Sequence, residues 1–273
     1  MILRDKIFRQ SRSRPAAVPD KINYNHIELF YWKPPQGGLN FGDHLSKIIV
    51  SKILADKEHS LEEETTVSKR LLTIGSILHF ANDNDVIWGS GINGKIDIAE
   101  CKFKQLDVRA VRGPFTREFL LSKKINVPEI FGDPAFLLPI IFPSRFKRES
   151  KQAYAVVPNL HDLKIVQAGK WQHIVSPLWS WNKCVTEILK ADFVIASSLH
   201  GLIIAEAYGI PARYIRLSET ENLLKYNDYM MGTGRGEIEY AKTIEEALEM
   251  RGMTPPDIDR QKLLDAFPSD LWR

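Results

Sequence analysis

The stretch 191–216, ADFVIASSLHGLIIAEAYGIPARYIR, constrains the fold more than any other part of the chain. Phe193-Val194-Ile195-Ala196 is an unbroken apolar run of the kind found in strands covered on both faces. Ser197-Ser198-Leu199-His200-Gly201 then opens a helix, which Ala205-Glu206-Ala207 continues and Gly209 stops. Ile210-Pro211 leads into a further strand at Ala212–Ile215. Strand, tight turn, helix and strand in this order make a unit of a parallel sheet.

The same alternation runs through the rest of the chain. Strands are predicted at 26–32, 85–88 and 108–111, and residues 70–80 read as a strand or as a strand entering a short helix. A helix is predicted from Asn40 through Leu54, with Asp43 as its candidate N-cap. Another runs from Pro114 to Lys124, its proline in the first turn where a missing N–H costs nothing. The segment 139–151, with its prolines, serines and charges, reads as a linker. Beyond it, strands are predicted at 153–157, 173–175, 192–196 and 212–215, and helices at 160–169, 182–190, 199–208, 219–231, 243–250 and 260–266. The expected fold class is α/β: two Rossmann-like halves, 1–142 and 143–273, whose parallel sheets face a central cleft. The last helices are placed to return to the first half.

Ligands of such folds bind at the C-terminal ends of the strands. A helix starting there points free N–H groups and the positive end of its dipole into the crevice. Ser197 and Ser198 add hydroxyls, Gly201 allows close approach to the backbone, and His200 adds a side chain that ordinarily titrates near neutral pH. Together they suit a phosphate or a carboxylate. The plainer reading makes Ser197 a helix N-cap and His200 a packed histidine.

Composition excludes several classes. With 273 residues the chain buries roughly 75% of its unfolded surface, so it needs no staples. Hydrophobic and charged residues make up 44% and 26%, as in ordinary globular proteins. The net charge of +3 comes with no basic stripe interleaved with aromatics, so no nucleic acid is expected as partner. The densest basic stretch, Arg4, Lys6, Arg9, Arg12 and Arg14, is either a solvated tail or a weak attraction to an anionic membrane surface. Cys101 and Cys184 lack metal-type spacing, which fits a reducing compartment. Residues 1–20 have no apolar core region and no run approaches the ~18 residues of a membrane span. The expected location is cytoplasmic, at most peripheral at the inner face of the cell membrane. No histidine pair has ligand spacing, so metal-independent chemistry is expected.

In this context Ser197-Ser198-Leu199-His200-Gly201 and its continuation to Pro211 resemble the Ser-x-x-His segment of the polysaccharide pyruvyl transferases. Four further segments agree in order: Asn40-Phe41-Gly42-Asp43, Gly89-Ser90-Gly91, Val111-Arg112-Gly113-Pro114 with Arg117-Glu118, and Gly132-Asp133-Pro134-Ala135. The resemblance spans residues 26–216, and Tyr226–Tyr229 with Gly232–Arg235 is similar to a short bacterial branch. One position departs: Ser198 stands where some relatives carry an arginine.

The resemblance implies an enzyme of bacterial exopolysaccharide type, with an architecture similar to the GT-B glycosyltransferases. It would move a pyruvyl group from phosphoenolpyruvate to two hydroxyls of a sugar, forming a ketal and releasing phosphate. The acceptor would be a polysaccharide or its lipid-linked precursor. Phosphoenolpyruvate is a substrate, and no cofactor is implied. His200 is expected as the acid/base or as the essential phosphate contact. Ser197, Ser198 and the Gly201 amide are expected at the phosphate. Arg112 is the first candidate for an anion clamp, against a surface ion pair with Glu118 or a neighbour, and Arg235 is the second. Asn40, Asp43 and His44 are expected on the acceptor side. Gly89-Ser90-Gly91 is either the crevice floor or a turn, Asp133-Pro134 a turn or a ligand contact. Trp32, Trp88, Trp179 and Trp181 are either sugar platforms or packed.

Two other readings compete. A glycosyltransferase using a nucleotide sugar would seat a diphosphate at the same helix, although no acidic residue is placed to hold a ribose. A carbohydrate- or anion-binding module would tolerate His200→Ala with ligand affinity intact.

Overall fold

The computed structural model describes residues 24–273 apart from Gln36, Lys170 and Thr220. The basic cluster between Arg4 and Arg14 lies outside the described residues.

The first half opens with β1 (Ile27–Phe30) and α1 (Phe41–Asp56), followed by β2 (Lys69–Leu72), β3 (Val86–Trp88), β4 (Asp107–Ala110), α2 (Pro114–Ser122) and α3 (Leu138–Ile141). Then come β5 (Ala155–Val157), α4 (Leu163–Ala168), α5 (Trp181–Ile188), β6 (Val194–Ala196), α6 (Leu199–Ala207) and β7 (Ala212–Ile215). The chain continues through α7 (Leu224–Gly232), β8 (Tyr240–Ala241), α8 (Ile244–Met250) and α9 (Arg260–Asp265). Strands β1-β2-β3-β4 form one sheet and β5-β6-β7-β8 another, each in sequence order and parallel throughout. These are the two parallel sheets expected of two Rossmann-like halves.

The two-residue period of a strand decides what covers each sheet. Leu71, Val86 and Trp88 face one way, onto Ile49, Ile53 and Leu54 of α1. Leu72, Ile87 and Val108 face the other way, onto Phe119 and Leu120 of α2. In the second sheet, Ala155, Val157, Val194 and Ala196 face α5 and α6, while Val156, Ile195 and Ile215 face Ile244 and Ala247 of α8. The inner faces of both sheets belong to one continuous apolar cluster. Helix α6 sits at its centre with every residue buried, and all of it but His200 and Glu206 is apolar or glycine, as such a position requires. Burying Leu202, Ile203 and Ile204 is worth roughly 1.5–3 kcal/mol each. The turn leading into α6 is therefore rigidly placed.

The structure differs from the expectations at several points. Asn40, not Asp43, occupies the N-cap position of α1. Ser198, not Ser197, caps α6, its Oγ accepting from the Gly201 amide. The strand expected at 173–175 shrinks to a single bridge between Ile174 and Val156. The helix expected at 219–231 begins only at Leu224, and β8 was not anticipated. Asp133 caps a short 3-10 turn over Pro134–Leu137, accepting from the Ala135 amide.

Segments near residue 265 return to the first sheet. Trp88 Nε1 donates to the Leu263 carbonyl at 3.0 Å, and its ring meets Phe267 edge-on at 5.0 Å. Asp270 receives both terminal nitrogens of Arg109 of β4 at 2.7 and 2.8 Å. Among the described residues no helix is long and apolar enough to cross a membrane.

Candidate active site

A cleft of about 290 Å³ opens between the C-terminal ends of the two sheets. The chain after β1 brings Trp32, Asn40 and Asp43 to it, and the chain after β2 brings Gly75, Ser76, Ile77, His79 and Phe80. From the second sheet come Asn159, Leu160 and His161 after β5, and Ser198, Leu199 and His200 after β6. Asn93, Lys95, Glu221 and Lys225 complete the lining. The head of α1 and the head of α6 meet here. Four of the residues named from the sequence, Asn40, Asp43, Ser198 and His200, are thus brought together.

His200 is 9% exposed and lies against the backbone of α1: a Cβ on Gly42 would fall 2.2 Å from its Nδ1. Its Nε2 faces Asp133 Oδ2 at 3.6 Å, beyond hydrogen-bond length, and neither atom has a hydrogen-bond partner among the described residues. Asp43 is buried beside it. Asn40 Nδ2 donates to Asp43 Oδ2 at 2.8 Å. Burial pushes the Asp43 carboxyl up to about 6, although His200, the Asn40 hydrogen bond and Lys225 pull the other way. A carboxyl with its midpoint in this range can hold a proton or release it near neutrality.

Five expected contacts lie elsewhere. Ser197 is buried outside the cleft lining: its Oγ accepts from the Asn159 amide, and its carbonyl accepts from Tyr226 Oη at 2.7 Å. Gly201 is needed for packing, since a Cβ there would come 2.8 Å from Val157 Cβ, and its amide goes to Ser198. Arg112 is 1% exposed and pairs with Asp228 at 2.9 Å rather than with Glu118. Its remaining donors go to the Ile92 carbonyl and to Ser76 Oγ, at 2.8 and 2.6 Å. It therefore stands behind the cleft wall and holds Ser76 in place. Arg235 grips Glu206 with both terminal nitrogens at 2.8 and 2.9 Å, away from the cleft. His44 stands beside the Tyr31 ring, outside the lining, where burial and then Lys47 and Lys33 lower its pKa. Ser90 lies beneath the floor, its Oγ donating to the Gly75 carbonyl. Trp32 lines the cleft, whereas Trp88, Trp179 and Trp181 do not.

The sequence reading missed a cationic group. Lys95 and Lys225 both reach Glu221, at 2.5 and 2.7 Å. Burial lowers the Lys225 pKa, with Glu221 opposing it. Among the described residues no group of three or more His, Cys, Asp or Glu side chains is arranged to hold a metal ion.

The sequence profile of the polysaccharide pyruvyl transferases matches residues 65–219, more than half of the chain. The chain belongs to this family. The matched span contains Ser76, Lys95, Arg112, Asp133 and His200, while Asn40 and Asp43 precede it and Glu221 and Lys225 follow it. Two relatives show how far the likeness extends. The uncharacterized protein L143 of Acanthamoeba polyphaga mimivirus is 26% identical over 221 residues, 75% of this chain and 74% of its own length. The succinoglycan biosynthesis protein ExoV of Rhizobium meliloti (strain 1021) is 26% identical over 219 residues, 76% of this chain but 65% of its own length. Among solved structures, an uncharacterized protein of Klebsiella pneumoniae subsp. pneumoniae superposes with a TM-score of 0.49 at 14% identity, covering 81% of this chain and 94% of that one.

Proposed function

We propose that this member of the pyruvyl transferase family transfers the pyruvyl group of phosphoenolpyruvate to two hydroxyls of a sugar in a polysaccharide or its lipid-linked precursor. The observation that carries the reading is the placement of His200 between two carboxylates, Asp43 and Asp133, at the meeting of two helix heads in the cleft. The relative ExoV, named for succinoglycan biosynthesis, supports a polysaccharide acceptor.

The reaction requires an acid at the donor's methylene carbon and a base at the attacking hydroxyl. His200 in its protonated form serves as the acid, with Asp133 orienting the ring and stabilising its charge. Asp43 serves as the base, since with its midpoint near 6 it is mostly ionised at neutral pH. The first hydroxyl adds to the central carbon as the methylene takes a proton from His200 and becomes a methyl group. Phosphate then leaves with its bond electrons, and the second hydroxyl adds to the cation left behind. Two C–O bonds form and the C–O bond to phosphate breaks. Of the two hydroxyl protons released, one replaces the proton now in the methyl group and the other leaves with the phosphate.

The cleft is small. About 290 Å³ is at the lower edge of ligand sites, which span roughly 300–1,000 Å³, and suits a compact donor. Trp32, His79 and Phe80 form an aromatic wall on the first-half side, against which an acceptor ring can lie. The test is to incubate the protein with phosphoenolpyruvate and a panel of glycosides. Acceptor-dependent phosphate release together with a pyruvyl ketal adduct by mass spectrometry is the expected result. Release of a nucleoside diphosphate from a nucleotide sugar would replace this reading with glycosyl transfer.

A further inference from the structure

The cleft lining carries two clusters of unlike charge. In one, His200 is flanked by Asp43 and Asp133. Two of the groups that would receive a phosphate at the head of α6 are withdrawn: Ser197 lies outside the lining, and the Gly201 amide is bound to Ser198 Oγ. A dianion seated there would also face two carboxylates.

In the other, Lys95 and Lys225 share the single carboxylate of Glu221, at 2.5 and 2.7 Å, with Lys225 also within Coulombic reach of Asp43. Arg112 lies within Coulombic reach of Lys225, but its charge is matched by Asp228. Two lysines against one glutamate give this cluster a surplus of positive charge, although burial works against the charge on Lys225. Its scaffold is fixed: Asn222 Nδ2 donates to the Gly94 carbonyl at 2.6 Å, and Asn222 Oδ1 accepts from the Leu224 amide at 2.8 Å. These contacts tie the loop that carries Lys95 to the start of α7, which carries Lys225. Asn93 and Ser76 add polar groups on the same wall.

We infer that Lys95 and Lys225, rather than the head of α6, form the subsite that receives the anionic groups of a small phosphorylated carboxylate. The identity of that ligand rests on the proposed function; the location of the charge does not. Lysine suits phosphate as a mobile point charge. Because Lys95 comes from the first half and Lys225 from the second, the subsite exists only where the two meet. The donor's reacting carbon would then lie toward Asp43 and His200.

The experiment titrates phosphoenolpyruvate and, separately, inorganic phosphate into the wild-type protein and the variants Lys95→Met, Lys225→Met and Lys225→Arg, reading affinity by calorimetry and thermal protection. The wild type should bind both probes. Each methionine variant should weaken both by about tenfold to a hundredfold, as expected for a lost charged contact, while Lys225→Arg stays within a few-fold of wild type. Circular dichroism verifies that each variant is folded, and Lys95, the more exposed of the two, provides the variant least able to disturb packing. Folded methionine variants that bind both probes as the wild type does would overturn the inference, as would a wild type that binds neither. Lysine-dependent phosphate binding without ketal formation leaves the subsite standing and removes the proposed reaction. Ketal formation with an unchanged KM for phosphoenolpyruvate in Lys95→Met and Lys225→Met does the reverse.

Discussion

His200 Nε2 and Asp133 Oδ2 face each other across 3.6 Å, both buried and both without a hydrogen bond among the described residues. A proton on His200 Nε2 would let the ring donate to Asp133, a bond that both atoms lack among the described residues. His200→Asn is expected to reduce kcat by about 10²–10⁴-fold, the usual contribution of general acid–base catalysis, with folding intact. Asp133→Asn keeps an oxygen for the Ala135 amide but removes the charge behind the imidazole. It should lower kcat with little change in the KM for phosphoenolpyruvate and should shift the pH profile of kcat. A purely structural Asp133 would instead lower the melting temperature and leave kcat per folded molecule and its pH profile unaltered.

Asp43 gives a pH-dependent signature. Its carboxyl moves from an ordinary 3.8 to about 6 on folding, mainly through burial. The folded state therefore holds the proton more tightly, and this carboxyl's contribution to stability falls as pH rises from about 4 through 6. At about 1.4 kcal/mol per pH unit the loss amounts to about 3 kcal/mol above pH 6. Asp43→Asn should thus stabilise the protein at pH 7–8 by an amount of this order and have little effect near pH 4, as measured by denaturant unfolding across that range. In the wild type, kcat/KM should rise with pH through about 6 as Asp43 ionises, and the substitution should remove both this limb and most of the turnover.

Gly42 offers a test of geometry alone. A methyl group there would fall 2.2 Å from His200 Nδ1 and 2.6 Å from its Cγ. The ring must move by an ångström or more, and a displacement of this size costs about a hundredfold in rate. Alanine also favours the helix by about 1 kcal/mol over glycine, which offsets part of the overpacking. Gly42→Ala should accordingly lose turnover by about that hundredfold while its denaturation midpoint shifts little.

The Arg112–Asp228 pair is expected to behave as architecture. Both side chains are fully buried, and Asp228 also accepts from the amide and the hydroxyl of Thr116, at 3.0 and 2.7 Å. Asp228→Asn or Arg112→Met leaves one charge buried without its partner, which costs about 3–5 kcal/mol. The expected result is a large drop in unfolding free energy for either variant. Equal stability with a raised KM for phosphoenolpyruvate would return Arg112 to the role of anion clamp.

What the sequence reveals is what is written locally. The apolar run Phe193–Ala196, the turn after it and the apolar helix beyond fix strand, cap and helix, so His200 is legible at the head of α6. Asn40 and Asp43 are legible for the same reason, as the entry to an apolar-periodic helix. Lys95, Glu221 and Lys225 are not, because no spacing rule links residues that meet only through the docking of two halves. Arg112 misleads in the same way. Glu118 is near in sequence, but the carboxylate it finds is 116 residues away. The late start of α7 also has a tertiary cause: Asn222 turns the chain onto Gly94 and bonds the Leu224 amide, so helical geometry begins only there.

Trp88 ends β3, yet its indole N–H is satisfied by Leu263 and its ring by Phe267. Some 175 residues separate the donor from its acceptor. On the ribosome, the first sheet therefore emerges long before the segment that seals it. Until residues 263–270 have been made, the Trp88 indole N–H lacks its acceptor, its ring lacks Phe267, and Arg109 lacks Asp270. A nascent chain of this protein therefore carries an unfinished first half through the synthesis of the entire second sheet.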